Sequence, residues 1–101
     1  MSEEVHEAWF DDNCLAFDGR VVEMFGFPEV KRWHVRAFGH ELNGPDRKGN
    51  YMLRVGRMRK GKIKGGGLAG VKAEAWPAVE DVLRRIEAKQ AEVGLHESAT
   101  K

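Results

Sequence analysis

The residues best suited to bind a ligand are the cations between positions 47 and 64, a stretch that contains no acidic residue. An arginine can hold a phosphate through two hydrogen bonds, and lysines on a flexible segment can follow a phosphate chain. Tyr51 and Met52 can add stacking or apolar contacts. Arg32 and Arg36 join the set because they share the polar face of a predicted strand with His34. The run of cations begins at Arg47. The candidate anion- or partner-binding residues are Arg32, Arg36, Lys48, Arg54, Arg57, Arg59, Lys60, Lys62 and Lys64.

These cations also have two simpler explanations, a solvated face or a set of partners for the acids elsewhere in the chain. Residues 1–30 carry eight acids and one base, a net charge of −7. Residues 31–72 carry twelve bases and two acids, a net charge of +10, although the whole chain has a formal charge of only +1. Such segregation favours either a basic face for an anionic partner or pairing between oppositely charged strands. The sequence leaves both open.

Groups that could act in catalysis are scarce. Ser2, Ser98 and Thr100 are the only hydroxyl residues besides tyrosine, and they lie near the ends of the chain, where a nucleophile has no rigid position. The histidines show no ligand spacing, and Cys14 is the only cysteine. We therefore expect a non-catalytic protein without metal or cofactor. A lone cysteine excludes an internal disulfide and fits the reducing cytoplasm.

The glycines at 65, 67 and 70 formally match the G-x-G-x-x-G dinucleotide fingerprint. That fingerprint needs an apolar strand before it and a helix directly after it. Basic residues precede these glycines, so the sequence predicts a flexible turn and no nucleotide cofactor.

The first half of the chain alternates apolar and polar residues over short stretches, as antiparallel strands do. Strands are predicted over 13–18, 20–25 and 29–38. Asp18-Gly19 predicts a tight hairpin with both residues at its centre. Gly26-Phe27-Pro28 separates the second strand from the third, in which Trp33, Val35 and Ala37 share the apolar face.

The second half is predicted to contain further strands and a C-terminal helix. Strands are expected over 40–42, 51–55 (extending to Met58 past a bulge) and 68–73, with a turn at 43–46. A mobile basic loop is expected over 60–67, with one weak strand around Ile63 as the alternative. Pro77 suits the first turn of a helix and Gly94 its C-terminal end. The apolar stripe of this helix, at three-and-four spacing, is Val79, Val82, Leu83, Ile86, Gln90 and Val93, anchored by Trp76.

The composition, 42% hydrophobic and 33% charged, is that of a globular protein of one domain. We expect a loose segment over 1–10, a single domain over 11–94 and a disordered tail over 95–101. Trp33 and Trp76 are predicted core residues, whereas Trp9-Phe10 is expected to cover a sheet edge or join an interface. No apolar run is long enough to span a membrane, and the acidic start is unlike a signal peptide.

Several short antiparallel strands followed by one amphipathic helix resemble the pleckstrin-homology-like superfamily, in particular its small bacterial members. The resemblance covers about residues 13–93 and is carried by 29–38, 51–55 and Ala75-Trp76-Pro77 before the helical stripe. It implies an α+β fold, in which an antiparallel, strongly bent sheet or partly closed barrel of five to seven short strands is capped by the C-terminal helix. It also implies a binding module for lipid headgroups, peptides or proteins. Inositide-binding members carry a basic loop between their first two strands, where this chain has the tight Asp18-Gly19 turn.

The sequence therefore predicts a small cytoplasmic interaction module that binds a protein partner or itself through a charge-polarised surface. The alternative is binding of nucleic acid or of an anionic membrane surface through residues 47–64, without membrane insertion.

Overall fold

Seven strands and one helix form from residues 5–10, 12–26 and 30–93, the part of the chain that the computed structural model describes. The predicted α+β class with antiparallel strands and a C-terminal helix is confirmed. The strands form two separate sheets, in the orders β1-β2-β3-β4 and β5-β6-β7, and among the described residues these are not hydrogen-bonded into a closed barrel. The elements are β1 His6–Phe10, β2 Asn13–Phe17, β3 Val21–Phe25, β4 Val30–His34, β5 Phe38–Asn43, β6 Tyr51–Arg59, β7 Lys62–Val71 and α1 Trp76–Val93.

The prediction that residues 1–10 are loose is wrong for its second half. His6–Phe10 forms β1, which pairs with β2 in a register that places Ala8 opposite Leu15. Ala8 and Phe10 are buried, while Trp9 on the opposite face is 62% exposed. Two apolar residues on one face were too weak a signal for a strand, yet they complete the core beside the helix. The predicted break at 27–28, the Gly94 cap and the predicted 95–101 tail lie outside the described residues.

The hairpin between β2 and β3 is confirmed, with one shift of position. Gly19 has a φ of 96°, whereas Asp18 does not have a positive φ, so the central residues are Gly19 and Arg20. The Asp18 carboxylate accepts hydrogen bonds from the backbone N–H groups of Arg20 (2.9 Å) and Val21 (2.7 Å). These bonds stabilise the ionised carboxylate and lower the pKa of Asp18.

The strand predicted over 29–38 is instead two strands that belong to different sheets. β4 ends at His34, residues 35–37 form a turn closed by a 2.9 Å bond from the Ala37 N–H to the His34 carbonyl, and β5 begins at Phe38. The alternation of polar and apolar residues continues through the turn because Val35 still points into the core, where it is 1% exposed. Trp33 packs against Phe38 across this junction, with ring centroids 5.5 Å apart.

The helix packs its apolar stripe into the core between the sheets. Val79, Val82, Leu83 and Ile86 are buried as predicted, whereas Val93 is 38% exposed. Trp76 stacks on Tyr51 at a centroid distance of 4.2 Å, and both it and Trp33 lie partly buried against the core. Along its outer face the helix carries Glu80–Arg84 and Asp81–Arg85 ion pairs of 3.0 Å and 2.9 Å. Within the described residues no helix has the length and apolar character of a membrane span.

The side chain of Gln90 forms hydrogen bonds between the last turns of the helix and the junction between the sheets. Its side-chain amide nitrogen donates to the carbonyl oxygens of Val35 (2.9 Å) and Phe38 (2.8 Å). Both carbonyls belong to residues whose side chains are fully buried. This polar contact explains why a glutamine occupies the predicted apolar stripe.

Replacing Gln90 with leucine should lower the free energy of unfolding by about 1–3 kcal/mol, because two partly buried carbonyls lose their donor. Urea denaturation followed by tryptophan fluorescence measures the change. The control is Ala91→Leu, at an exposed neighbouring position, which should change stability by less than about 0.5 kcal/mol. Equal losses for the two variants would show that the bonds from Gln90 contribute nothing measurable.

His40 lies in β5, and its side chain extends towards Glu87 of the helix. Its imidazole stacks on Phe38, is 16% exposed, and has its Nε2 3.6 Å from a carboxylate oxygen of Glu87. Burial lowers the pKa of His40, and the Glu87 carboxylate opposes this only in part. The native protein therefore holds His40 in its neutral form at neutral pH.

Because the pKa of His40 is lowered on folding, the unfolded chain binds this proton at a higher pH than the native chain does. The free energy of unfolding should therefore fall as the pH drops from about 6.5 through the native pKa, by up to about 1.4 kcal/mol per pH unit. His40→Gln should remove this contribution to the slope, and Glu87→Gln should steepen it. Urea denaturation at a series of pH values gives the slopes. An unchanged slope in His40→Gln would contradict the assignment.

Candidate anion-binding site

The connection between β6 and β7 is a two-residue turn with an unusual residue in it. Lys60 has a φ of 52° and Gly61 a φ of 76°, and positive φ at both central positions defines a type I′ hairpin turn. Asn or Asp normally precedes the glycine in such turns, because the left-handed conformation costs other residues about 1 kcal/mol or more. The sequence prediction of a mobile loop over 60–67 is therefore wrong, since β7 continues without interruption from Lys62 to Val71.

Directly behind this turn, cations face cations across the two strands. The register places Arg59 opposite Lys62 and Arg57 opposite Lys64, and all four side chains are exposed. Residues in such positions have Cβ atoms about 5 Å apart, and like charges there are destabilising. With Lys60 at the tip, they form a positively charged surface, here called the hairpin surface, which consists of Arg57, Arg59, Lys60, Lys62 and Lys64. Four of these five residues, all but Arg57, line a cleft of about 460 Å³.

The hairpin surface has no counter-charge within the described residues. The ion pairs among the described residues join Arg32 to Glu23, His40 to Glu87, and residues of the helix to one another. Pairing between the acidic and basic strands therefore accounts for Arg32, through its ion pair with Glu23, and gives the hairpin cations no acidic partner among the described residues.

Arg36 lies beside the base of the hairpin. The next residue, Ala37, accepts a 2.7 Å hydrogen bond at its carbonyl from the Met58 N–H, between Arg57 and Arg59. The Arg36 Nε is buried and has no hydrogen-bond partner among the described residues. Its backbone N–H donates to His34 Nδ1 at 3.2 Å. Arg36 is a predicted site residue outside β6 and β7 whose backbone the fold brings close to the hairpin.

The remaining predicted site residues, apart from Arg54, lie away from the hairpin surface. Arg47 and Lys48 precede β6, whose nine residues place them about 30 Å from the hairpin tip. Asp46 ties that distant loop together by accepting from the N–H groups of Lys48 and Asn50, each at 2.9 Å, and these bonds lower its pKa. Arg54 lies mid-strand between Glu41 and Leu68, but one of its guanidinium nitrogens is 3.5 Å from the Ile63 carbonyl, between Lys62 and Lys64 of the hairpin surface. Arg32 belongs to the other sheet.

The glycines of β7 shape the strand rather than a phosphate loop. The register shifts between Val55 and Arg57, where Gly56 and Gly66 bring the two backbones together, and Gly65 and Gly66 have φ values of 64° and 78°. A β-bulge of this kind twists the hairpin. Gly65, Gly67 and Gly70 all lie inside the strand, and the helix begins only at Trp76, so the fingerprint has no helix N-terminus to receive a phosphate.

Other candidate chemistry is limited. A second cleft, of about 440 Å³, adjoins the Asp46 loop, but Asp46 and Asn50 already use their side chains in hydrogen bonds that hold the loop. Cys14 is fully buried, and burial raises the pKa of its thiol to about 11. Over 5–10, 12–26 and 30–93 no three His, Cys, Asp or Glu side chains are grouped as a metal site.

Comparison with known proteins adds no relative. The chain matches no family model, and no curated protein or solved structure is significantly similar to it.

Proposed function

We propose that this protein is a non-catalytic, cytoplasmic interaction module whose hairpin surface binds an acidic segment of a protein partner. The observation that carries the proposal is the presence of two pairs of opposed cations, Arg57 with Lys64 and Arg59 with Lys62. They lie directly behind Lys60, which has a positive φ. Each of these features weakens the free hairpin, and a bound anion relieves the repulsion between the cations. Glutamate in place of Lys62 or Lys64, or asparagine in place of Lys60, would make the free hairpin more stable.

A pleckstrin-homology-like architecture is part of this proposal. Two antiparallel sheets of four and three strands with a C-terminal helix are consistent with the bent, helix-capped sheet that the resemblance implies. Inositide recognition by the usual route is not supported, because β1 and β2 are joined by the acidic Asp11-Asp12 and the next turn offers only Arg20. The basic surface has a different place in the fold, on the last hairpin.

A second candidate ligand is duplex nucleic acid, favoured by the shape of the hairpin. β5 pairs with β6 as far as Arg57, and the Ala37 carbonyl bonds to the Met58 N–H, so the tip of the hairpin over 59–62 extends as a two-stranded ribbon. A ribbon of this width can enter a DNA major groove, and its cations can contact phosphates. Described residues of the hairpin surface include no aromatic side chain on which single-stranded bases would stack.

Fluorescence anisotropy with labelled poly-glutamate and with a labelled duplex of about 20 base pairs tests both ligands, at about 50 and 200 mM salt. We expect poly-glutamate to bind with an affinity that falls as the salt concentration rises. Binding should be lost when Arg57, Arg59, Lys62 and Lys64 are replaced by glutamine. Binding of the duplex alone would establish the second candidate instead. If neither polyanion binds at low salt, both are wrong.

Self-association, the other form of partner binding that the sequence suggests, has less support in the described residues. Of the acids on β1 to β3 and their turns, Glu23 pairs with Arg32 and Asp18 holds its own turn. We expect sedimentation velocity to show a monomer at low and high salt. A salt-sensitive dimer would make a second copy the partner of the hairpin surface.

A further inference from the structure

β7 is an open edge of the second sheet. It pairs with β6 on one side, and among the described residues no backbone hydrogen bond from residues 62–71 reaches any other segment. A strand in this position presents a row of free N–H and C=O groups to the solvent. Proteins usually protect such edges with lysines, bulges or prolines.

The protection covers only the first half of β7. Lys62, Lys64 and the bulge lie there, whereas Gly67–Val71 contains no charge and no proline and pairs in regular register with Tyr51–Val55. Its side chains are small except for Leu68, which is 64% exposed. A Cβ atom added at Gly67 or Gly70 would meet nothing within 4 Å. Another backbone can therefore approach this segment closely.

We infer that an extended acidic peptide of the protein partner adds to the sheet as a strand beside β7, along Gly67–Val71, with its carboxylates against the hairpin surface. This inference rests on the proposed function and specifies how the partner binds. In strand addition the main chain supplies the affinity and alternate side chains supply the specificity, so an interface without aromatic anchors is sufficient.

Charge and register define the peptide. Lys62 and Lys64 precede the open segment, Lys72 follows it, and no acid occurs between 62 and 73. The solvent face of the sheet presents Lys62 and Lys64 and, beyond the bulge, Leu68 and Gly70. The matching peptide has acids at alternate positions at one end and an apolar residue near Leu68. If a second copy of β7 paired with this edge, its lysines would face those of the first copy. Charge therefore favours a different, acidic partner.

The test uses a capped peptide of about eight residues in which threonine alternates with glutamate in one half and with valine in the other, so that glutamate and valine share one face. Two further versions carry N-methyl groups at alternate residues, in one frame or the other. N-methylation removes the N–H groups along one edge of an extended peptide and leaves its charges unchanged. Binding to the ¹⁵N-labelled full chain is followed by chemical shifts and by amide hydrogen exchange.

We expect the unmodified peptide and one N-methylated frame to bind and to slow exchange at some amides of Gly67–Val71 by more than about tenfold. The other frame should bind at least about tenfold more weakly. Leu68→Asp should also weaken binding by about tenfold or more, because it replaces the exposed apolar side chain that faces the apolar half of the peptide with a carboxylate, without disturbing the core.

Each of three other outcomes would refute strand addition, the proposed function, or both. Equal binding of all three peptides, lost in Lys62→Glu/Lys64→Glu, would retain the hairpin surface and refute strand addition. Slowed exchange over Gly67–Val71 with affinity unaffected by those two substitutions would retain the edge and refute the proposed function. Absence of binding by every peptide at low salt would refute both.

Discussion

Replacing Gly66 with alanine is expected to destabilise the protein by more than about 3 kcal/mol, enough to unfold much of a chain of this size at room temperature. Gly66 has a φ of 78°, a conformation that L side chains rarely adopt. A Cβ atom there would also overlap the Val55 carbonyl oxygen and lie 2.7 Å from the Gly56 Cα. Both obstacles are backbone atoms, so no side-chain rotation relieves them. Urea denaturation, or thermal unfolding if little native protein remains, measures the loss.

The neighbouring glycines provide matched controls that separate the two causes. Gly65 also has a positive φ, of 64°, but its Cβ position is open, so Gly65→Ala should cost only about 1 kcal/mol. Gly67 has neither constraint, and Gly67→Ala should leave stability unchanged or raise it by up to about 1 kcal/mol. Equal losses at Gly65 and Gly66 would contradict the close approach of β6 and β7 at the bulge.

These glycines also show where sequence analysis succeeds and where it fails. The helix from Trp76 and the hairpin near Gly19 were predictable because their signals are local, through helical spacing and turn chemistry. Only the end of β7, from Leu68 to Val71, was predicted as a strand, because the glycines before it resemble a flexible loop. Gly66 is instead required by its close backbone contact with Val55 and Gly56 on the neighbouring strand. The Lys60-Gly61 turn lacked the Asn or Asp that would have indicated it.

The same limit applies to the candidate site. The basic run was evident from the sequence, and the structure retains its second half as the hairpin surface. Lys48 and Lys62 lie near opposite ends of β6, so they do not share a surface. This follows only from the register of the three strands. The open edge of β7 was equally invisible, because an edge is defined by the absence of a neighbouring strand.

Reversing two charges of the hairpin surface should change stability and binding in opposite directions. In Lys62→Glu/Lys64→Glu, each glutamate faces an arginine across the strand pair, Arg59 or Arg57. Replacing two repulsive pairs by two attractive ones should raise the free energy of unfolding by about 1 kcal/mol in all. The affinity for poly-glutamate should fall at least about 100-fold at low salt, since each reversal removes one attraction and adds one repulsion. Denaturation and anisotropy on the same preparation measure both changes.

Arg47→Glu/Lys48→Glu is the matched control, because it changes the net charge equally at exposed positions near the far end of the sheet. It should alter the affinity by no more than about threefold and the stability by less than about 0.5 kcal/mol. A comparable loss of affinity in the control would show that binding depends on net charge rather than on the hairpin surface. A loss of stability in the hairpin variant would show that the opposed cations do not repel one another measurably. A gain in stability together with lost binding would mean that these lysines are retained for the ligand they bind, at the expense of the fold.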